Sequence, residues 1–342
     1  MWRSLGAVAT VNILALRITA VLSRAGLPAS SAGKLYSTRG RDRFQQRAPL
    51  VSFDVLPFVV LLPLAREGLA WTALWILLFY ILSATYPRWS RGVPASSKEH
   101  ENSKYWAARN LLGAIHAVLV SVLSVPAMVE LMFAADAEVV RFSYSVHLAT
   151  CKAPEEIAQW NTVGEAIALA GLMFTTFTLA DCVVSPMHGL IGWDMGVHHV
   201  AFIFAGAVIR GHCMLPFNAS ALISMEVSTP FLNYLVHNQH RGDAYKTRVD
   251  AAGVIFFVTF LVFRIGLNTY ATVVLWIAHF GGVQMSAHMP AWQQWVMLLA
   301  VSAGAAMQLF WFPHVTRKVR SRLVVLGGRP AVGGDRLLET AV

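Results

Sequence analysis

Two adjacent histidines, His198 and His199, stand inside an apolar stretch reading Gly192-Trp193-Asp194-Met195-Gly196-Val197-His198-His199-Val200-Ala201-Phe202-Ile203-Phe204. An imidazole near its ordinary pKa can take up or release a proton, or carry an acyl group in transit, and a dry pocket protects the intermediate. Asp194 lies four residues before His198. On a helix the two share a face, where the carboxylate can fix the imidazole tautomer. Ionisable groups in hydrocarbon cost roughly 2.5–3.5 kcal/mol per charge at mid-span, so they usually line a cavity or do chemistry.

Other polar side chains punctuate apolar runs. Glu226 lies in Ser224-Met225-Glu226-Val227-Ser228-Thr229-Pro230-Phe231-Leu232-Asn233. A carboxylate there, beside Ser228, Thr229 and a helix-breaking proline, needs a partner, and an imidazole is the natural one. Arg264, in Leu261-Val262-Phe263-Arg264, must pair or snorkel. His116 is also mid-run, where the plain alternative is a hydrogen bond to a backbone carbonyl of a neighbouring helix. Asp181 sits near the end of its run, where it can equally be interfacial. The histidines are too few for a membrane di-iron site, which needs about eight in clustered boxes. A haem held between His116 and His198 or His199 has no further support in the sequence. No metal site and no resident cofactor are expected.

Long apolar elements must position these groups. The chain has 342 residues, 56% hydrophobic and 13% charged, with mean hydropathy +0.55. Soluble domains carry about 25% charged residues, so this composition belongs to a membrane protein. Runs of roughly 20 apolar residues predict seven helical spans, near 55–84, 109–133, 162–184, 196–213, 217–236, 252–277 and 293–313. The fold class is therefore all-α and polytopic.

The formal charge of +9 is distributed as a topology signal. Arg88, Arg91, Lys98, Lys104, Arg109, Arg241, Lys246 and Arg248 fall in loops on one side, with Arg317, Lys318, Arg320, Arg322, Arg329 and Arg336 in the tail. The opposite loops hold Arg141, Lys152 and Arg210. The positive-inside rule puts the tail in the cytosol, or in the matrix of a mitochondrion. Those cations read as orientation signals and as contacts to lipid headgroups, not as a nucleic-acid footprint. Cys151, Cys182 and Cys213 have no metal-ligand spacing and read as packing residues.

Residues 1–41 contain no Asp or Glu but carry Arg3, Arg17, Arg24, Lys34, Arg39 and Arg41. Arg3, Thr10, Arg17, Arg24 and Ser31 recur every seventh position, a polar stripe on an Ala/Leu/Val/Ile helix. This start is presequence-like, as in a mitochondrial transit peptide, with Lys34-Leu35-Tyr36-Ser37 resembling a processing site. A secretory signal or an additional signal-anchor helix is the alternative. The expected organisation is a presequence-like or signal-like segment over 1–36, a membrane domain over 50–322 and a flexible tail over 323–342.

Taken in order, His116, Asp181, Asp194 with His198-His199, the run from Glu226 to Asn233, Phe260-Leu261-Val262-Phe263-Arg264 and Leu309-Phe310-Trp311-Phe312 resemble the TLC (TRAM–LAG1–CLN8) domain family over roughly residues 50–322. The chain looks closer to the TLC-domain-containing, transmembrane protein 56-like branch than to the ceramide synthases. Ceramide synthases continue their His-His motif through a His-Asp-x-Ser-Asp element. Here that stretch reads Met225-Glu226-Val227-Ser228-Thr229, so one acid persists as Glu and the second is Thr229. The resemblance implies six of the spans enclosing a cavity that contains His116, Asp181, Asp194, His198, His199 and Glu226.

Three functions are compatible with this pattern. The first is a lipid-binding protein that influences membrane lipid composition, with His116, Asp181, Ser228 and Arg264 as headgroup or cavity polar contacts. The second is an acyl-CoA-dependent lipid acyltransferase of the sphingolipid type. There His198, His199, Asp194 and Glu226 would be catalytic and acyl-CoA would be the co-substrate. The third is a structural subunit of a membrane complex, with mitochondrial inner membrane the expected location and endoplasmic reticulum the alternative. Partners are membrane lipids, and either complex subunits or further copies of the chain.

Overall fold

The computed structural model describes residues 56–133, 161–212, 215–281 and 291–326. The segment over 1–36, Cys151, Cys213 and the tail beyond 326 lie outside the described residues. Among the described residues, nine α-helices follow in chain order: α1 Leu56–Trp89, α2 Lys104–Phe133, α3 Asn161–Met187, α4 Trp193–His212, α5 Pro216–Ser224, α6 Thr229–Asn238, α7 Asp243–Thr259, α8 Asn268–Phe280 and α9 Ala291–Leu326. No strand occurs among the described residues. The protein is an all-α polytopic membrane fold. A bilayer leaves that option because helices satisfy their own backbone groups.

The expected spans have helical counterparts, but three differ in form. Among the described residues, five stretches are long and apolar enough to cross a membrane: Arg66–Trp89, Lys104–Phe133, Thr162–Met187, Asp243–Phe280 and Gln294–Val319. The fourth expected span survives as a shorter apolar stretch, Met195–Ala207 within α4. The fifth is broken into α5, a 3₁₀ turn at Met225–Ser228, and α6. Its cause is Pro230, which has no amide hydrogen to return to the Glu226 carbonyl. The Thr229 N–H takes that carbonyl instead and tightens the turn. In the sixth, α7 and α8 are joined through a π-helical segment, Phe260–Leu267, which carries Arg264. Thus two non-α segments interrupt the apolar helices, and the second lies within a stretch long and apolar enough to cross a membrane.

The bundle centre is α2, which packs against α3, α5 and α6. One core joins Trp75 and Phe79 of α1 to Ala108, Leu112 and Val120 of α2 and to Ala170, Met173 and Ala180 of α3. Close van der Waals packing of small residues, rather than escape from water, holds such helices together. Gly206 shows it: a Cβ there would stand 2.3 Å from Thr175 Oγ1, so any larger residue would have to push the Thr175 side chain aside where α4 meets α3.

On the basic side the loops are built rather than loose. Arg241 donates to the carbonyls of His237, Pro94 and Glu101 at 2.8, 2.6 and 3.1 Å. The Glu101 carboxylate accepts from Ser96 Oγ and from His240 Nδ1, the latter at 2.8 Å. Both Arg241 and Glu101 are buried. This corrects the reading of Arg241 as a headgroup contact: its charge is spent on stapling the α1–α2 connection to the α6–α7 turn.

Candidate functional site

The turn from α3 to α4 delivers the histidine pair. Pro186 and Gly189 end α3, and Gly189 takes φ +64°, a left-handed conformation that suits glycine. Leu190 N–H donates to the Ser185 carbonyl at 2.8 Å and Gly189 N–H to the Pro186 carbonyl at 3.2 Å. These two bonds close the α3 C-terminus in a Schellman arrangement. The chain then re-enters the bundle, and His198 and His199 fall in the second turn of α4.

The two imidazoles face different surroundings. His199 Nδ1 stands 3.4 Å from Asp181 Oδ2, an electrostatic contact without hydrogen-bond alignment. Asp181 is itself held by the Arg109 fork, with Nε on Oδ1 and Nη2 on Oδ2, both at 2.9 Å. Ser185 Oγ also donates to Oδ1. The third guanidinium nitrogen, Nη1, donates to the Leu190 carbonyl at 3.2 Å. His198 instead sits among rings, 4.6 Å from Phe202 and 6.0 Å from Trp311 between centroids. It lines a cavity of about 410 Å³ between α3, α4, α5 and α9.

That cavity is almost wholly apolar. Its walls include Gly171, Phe174, Ala205, Gly206, Ile223 and Gly304, with His198 and Thr175 as polar members. Along α4 it extends from Val197 to Ile209, about 18 Å at the helical rise of 1.5 Å per residue. Lined by small residues and capped by one imidazole, it has the volume and character of a ligand pocket. A second cavity, of about 10 Å³, lies beside Arg109 and Asp181 against Trp75, Phe79 and Phe177.

The remaining expected residues are distributed elsewhere. His116 is buried, stacked on Phe177 at 4.0 Å and edge-on to Trp75 at 5.6 Å, with Nε2 unpartnered. It does not line the large cavity, and the stack takes the place of the expected backbone partner. Asp181 borders the small cavity, not the large one. Glu226 does not reach an imidazole as its partner; its nearest cation is Arg264, with Nη2 3.9 Å from Oε1. Arg264 donates Nε to Ser228 Oγ at 2.8 Å and Nη2 to Thr229 Oγ1 at 2.9 Å. Among the described side chains, the single cavity expected to collect six polar residues is instead an apolar slot, a buried aromatic stack and two polar clusters, one joining Asp181 to Arg109 and His199 and the other joining Glu226 to Arg264. Asp194 is in the first turn of α4, and its side chain lies outside the described residues. Among the described residues, no three His, Cys, Asp or Glu side chains gather as metal ligands.

Arg109 and Ser185 went unread. Arg109 passes for a loop charge beside Lys104, yet it lies inside α2, where an Asp buried on the next long helix demands a cation. That demand was the available signal.

The TLC domain family model matches residues 107–317, from the start of α2 almost to the end of α9. The chain belongs to the TLC domain family, membrane-associated and lipid-related proteins. Comparison with curated proteins and with solved structures finds no match in either.

Proposed function

We propose that the protein binds a membrane lipid, with an acyl chain lying in the slot between α3, α4, α5 and α9 and the polar head at His198, and thereby influences membrane lipid composition. The carrying observation is the cavity: about 410 Å³, apolar along its length, with one imidazole in its wall. Within the family, the transmembrane protein 56-like branch suits the chain, since Thr229 replaces an acid and Glu226 faces Arg264. The basic, acid-free start favours the mitochondrial inner membrane over the endoplasmic reticulum.

Native mass spectrometry with lipidomics on the purified protein tests this reading. Wild type should retain an acyl lipid that His198→Ala loses while remaining folded. Absence of any co-purifying acyl lipid from the wild type, reconstituted in a bilayer containing it, would sink the proposal.

A second reading, acyl transfer from acyl-CoA, is favoured by one observation: His199 faces a carboxylate that a bidentate arginine has fixed. Buried carboxylate–imidazole contacts orient a general base. An acylated lipid product made by the wild type and missing from His199→Ala would select this reading. The third reading, a subunit of a membrane complex or a homo-oligomer, predicts stable co-purification at fixed stoichiometry.

A further inference from the structure

We infer that Arg109 is a positioning residue for the histidine pair: it fixes the carboxylate that faces His199 and the turn that delivers α4, and so decides which imidazole is left to the cavity. This rests on the proposed function only for what His198 then does. The positioning itself rests on geometry.

One side chain makes three directed bonds to two different structures. Its Nε and Nη2 grip the two oxygens of Asp181 on α3, both at 2.9 Å. Its Nη1 grips the Leu190 carbonyl at 3.2 Å, in the turn that closes α3. A planar guanidinium is rigid, so these bonds fix Asp181 and Leu190 relative to each other. Lysine, a point charge on a flexible stem, cannot do that. The Asp181 carboxylate has Ser185 Oγ as a further donor on Oδ1, leaving Oδ2 turned to His199 Nδ1 at 3.4 Å. His199 is thus held toward α3, and its neighbour His198 is left facing the slot, one residue and about 100° further round the helix.

The acid assigned to His199 in this way comes from α3. It is not Glu226, whose partner among the described residues is Arg264. A carboxylate bound on both oxygens by one guanidinium is also unable to swing away from the imidazole. The neutral pair presents one carboxylate oxygen, Oδ2, to His199 from a position set by α2 and α3 together.

The test uses the full chain in lipid nanodiscs, labelled with ¹⁵N at histidine, with the His199 ring resonances assigned through His199→Asn. Arg109→Gln and Arg109→Lys should both displace the His199 ring resonances, Lys included, since charge without the fork does not hold Oδ2 in place. Ser185→Ala removes only one hydrogen bond and should displace them less, in the same direction. Asp181→Asn added to Arg109→Gln should produce little further change, since both act through one carboxylate. His199 resonances identical to wild type in a folded Arg109→Lys or Arg109→Gln protein would overturn the inference. If both arginine variants fail to fold, unchanged resonances in Ser185→Ala would overturn it instead, and a displacement would support it. Lipid retention, read separately by mass spectrometry, reports on the function: a wild type without lipid but with displaced His199 resonances in the variants would end the lipid reading and leave the positioning role standing.

Discussion

Arg109 and Arg264 both lie within the helical bundle, and each uses Nε and Nη2 as a fork. Arg109 closes that fork on the two oxygens of Asp181. Arg264 closes it on two hydroxyls, Ser228 and Thr229, and leaves Glu226 at 3.9 Å. The first arrangement joins opposite charges directly, between two α-helical segments. The second solvates a cation with neutral groups between a 3₁₀ turn and a π-helical segment, where the backbone departs from α geometry. Irregular backbone at membrane depth persists only where protein buries it or it lines a cavity, and π-bulges often mark functional positions. The comparison separates a carboxylate cluster that faces His199 from a hydroxyl cluster built around Arg264.

The strongest way to break this contrast is to remove each acid in turn. Asp181→Ala leaves Arg109 with its two best partners gone. We expect a loss of about 3 kcal/mol in unfolding free energy, the low end for a broken buried pair because Arg109 is a quarter exposed. Thermal unfolding in nanodiscs or mild detergent would measure it. Thr229→Val should cost about 1.5 kcal/mol, one hydrogen bond to a charged group, because Arg264 keeps Ser228. Glu226→Gln should cost about 1 kcal/mol, since the fork keeps both hydroxyls and loses only a contact beyond hydrogen-bond length. A Glu226→Gln protein destabilised as much as Asp181→Ala would show that the two clusters are held alike and that Glu226 carries the charge balance.

Helices, their order and the polar residues worth watching were legible because hydropathy and helical period are local properties. The seven expected spans fall on α1 to α9, and His198, Asp181, Glu226 and Arg264 each occupy a cluster or cavity wall. What could not be read was pairing. Glu226 and Arg264 are 38 positions apart in sequence, and nothing local says that an arginine reaches the acid before a histidine does. Arg109 was misplaced for the opposite reason: it stands near Lys104 at a helix start, where the positive-inside pattern accounts for any cation. His116 misled in a third way. A polar atom in an apolar run suggests the cavity, yet its ring is spent on Phe177 and Trp75. The breaks at Met225–Ser228 and Phe260–Leu267 differ too, since Pro230 announces the first and no residue announces the second.

A last expected effect concerns the basic-side clasp, which offers a control away from both arginine clusters. His237, at the end of α6, has a buried Nδ1 without a partner. Burial, followed by the nearby Arg241, pushes its pKa down from 6.5 to about 4, against the opposing pull of Glu101. Between those two values the unfolded chain binds a proton that the folded chain refuses. Stability therefore rises with pH through this window: it is fully present above pH 6.5 and is lost as pH falls toward 4. His237→Asn should flatten the dependence there, measured as Tm against pH, while leaving the Asp181 and Glu226 differences at pH 7 unchanged. An equal slope in the variant would assign the acid sensitivity to another group.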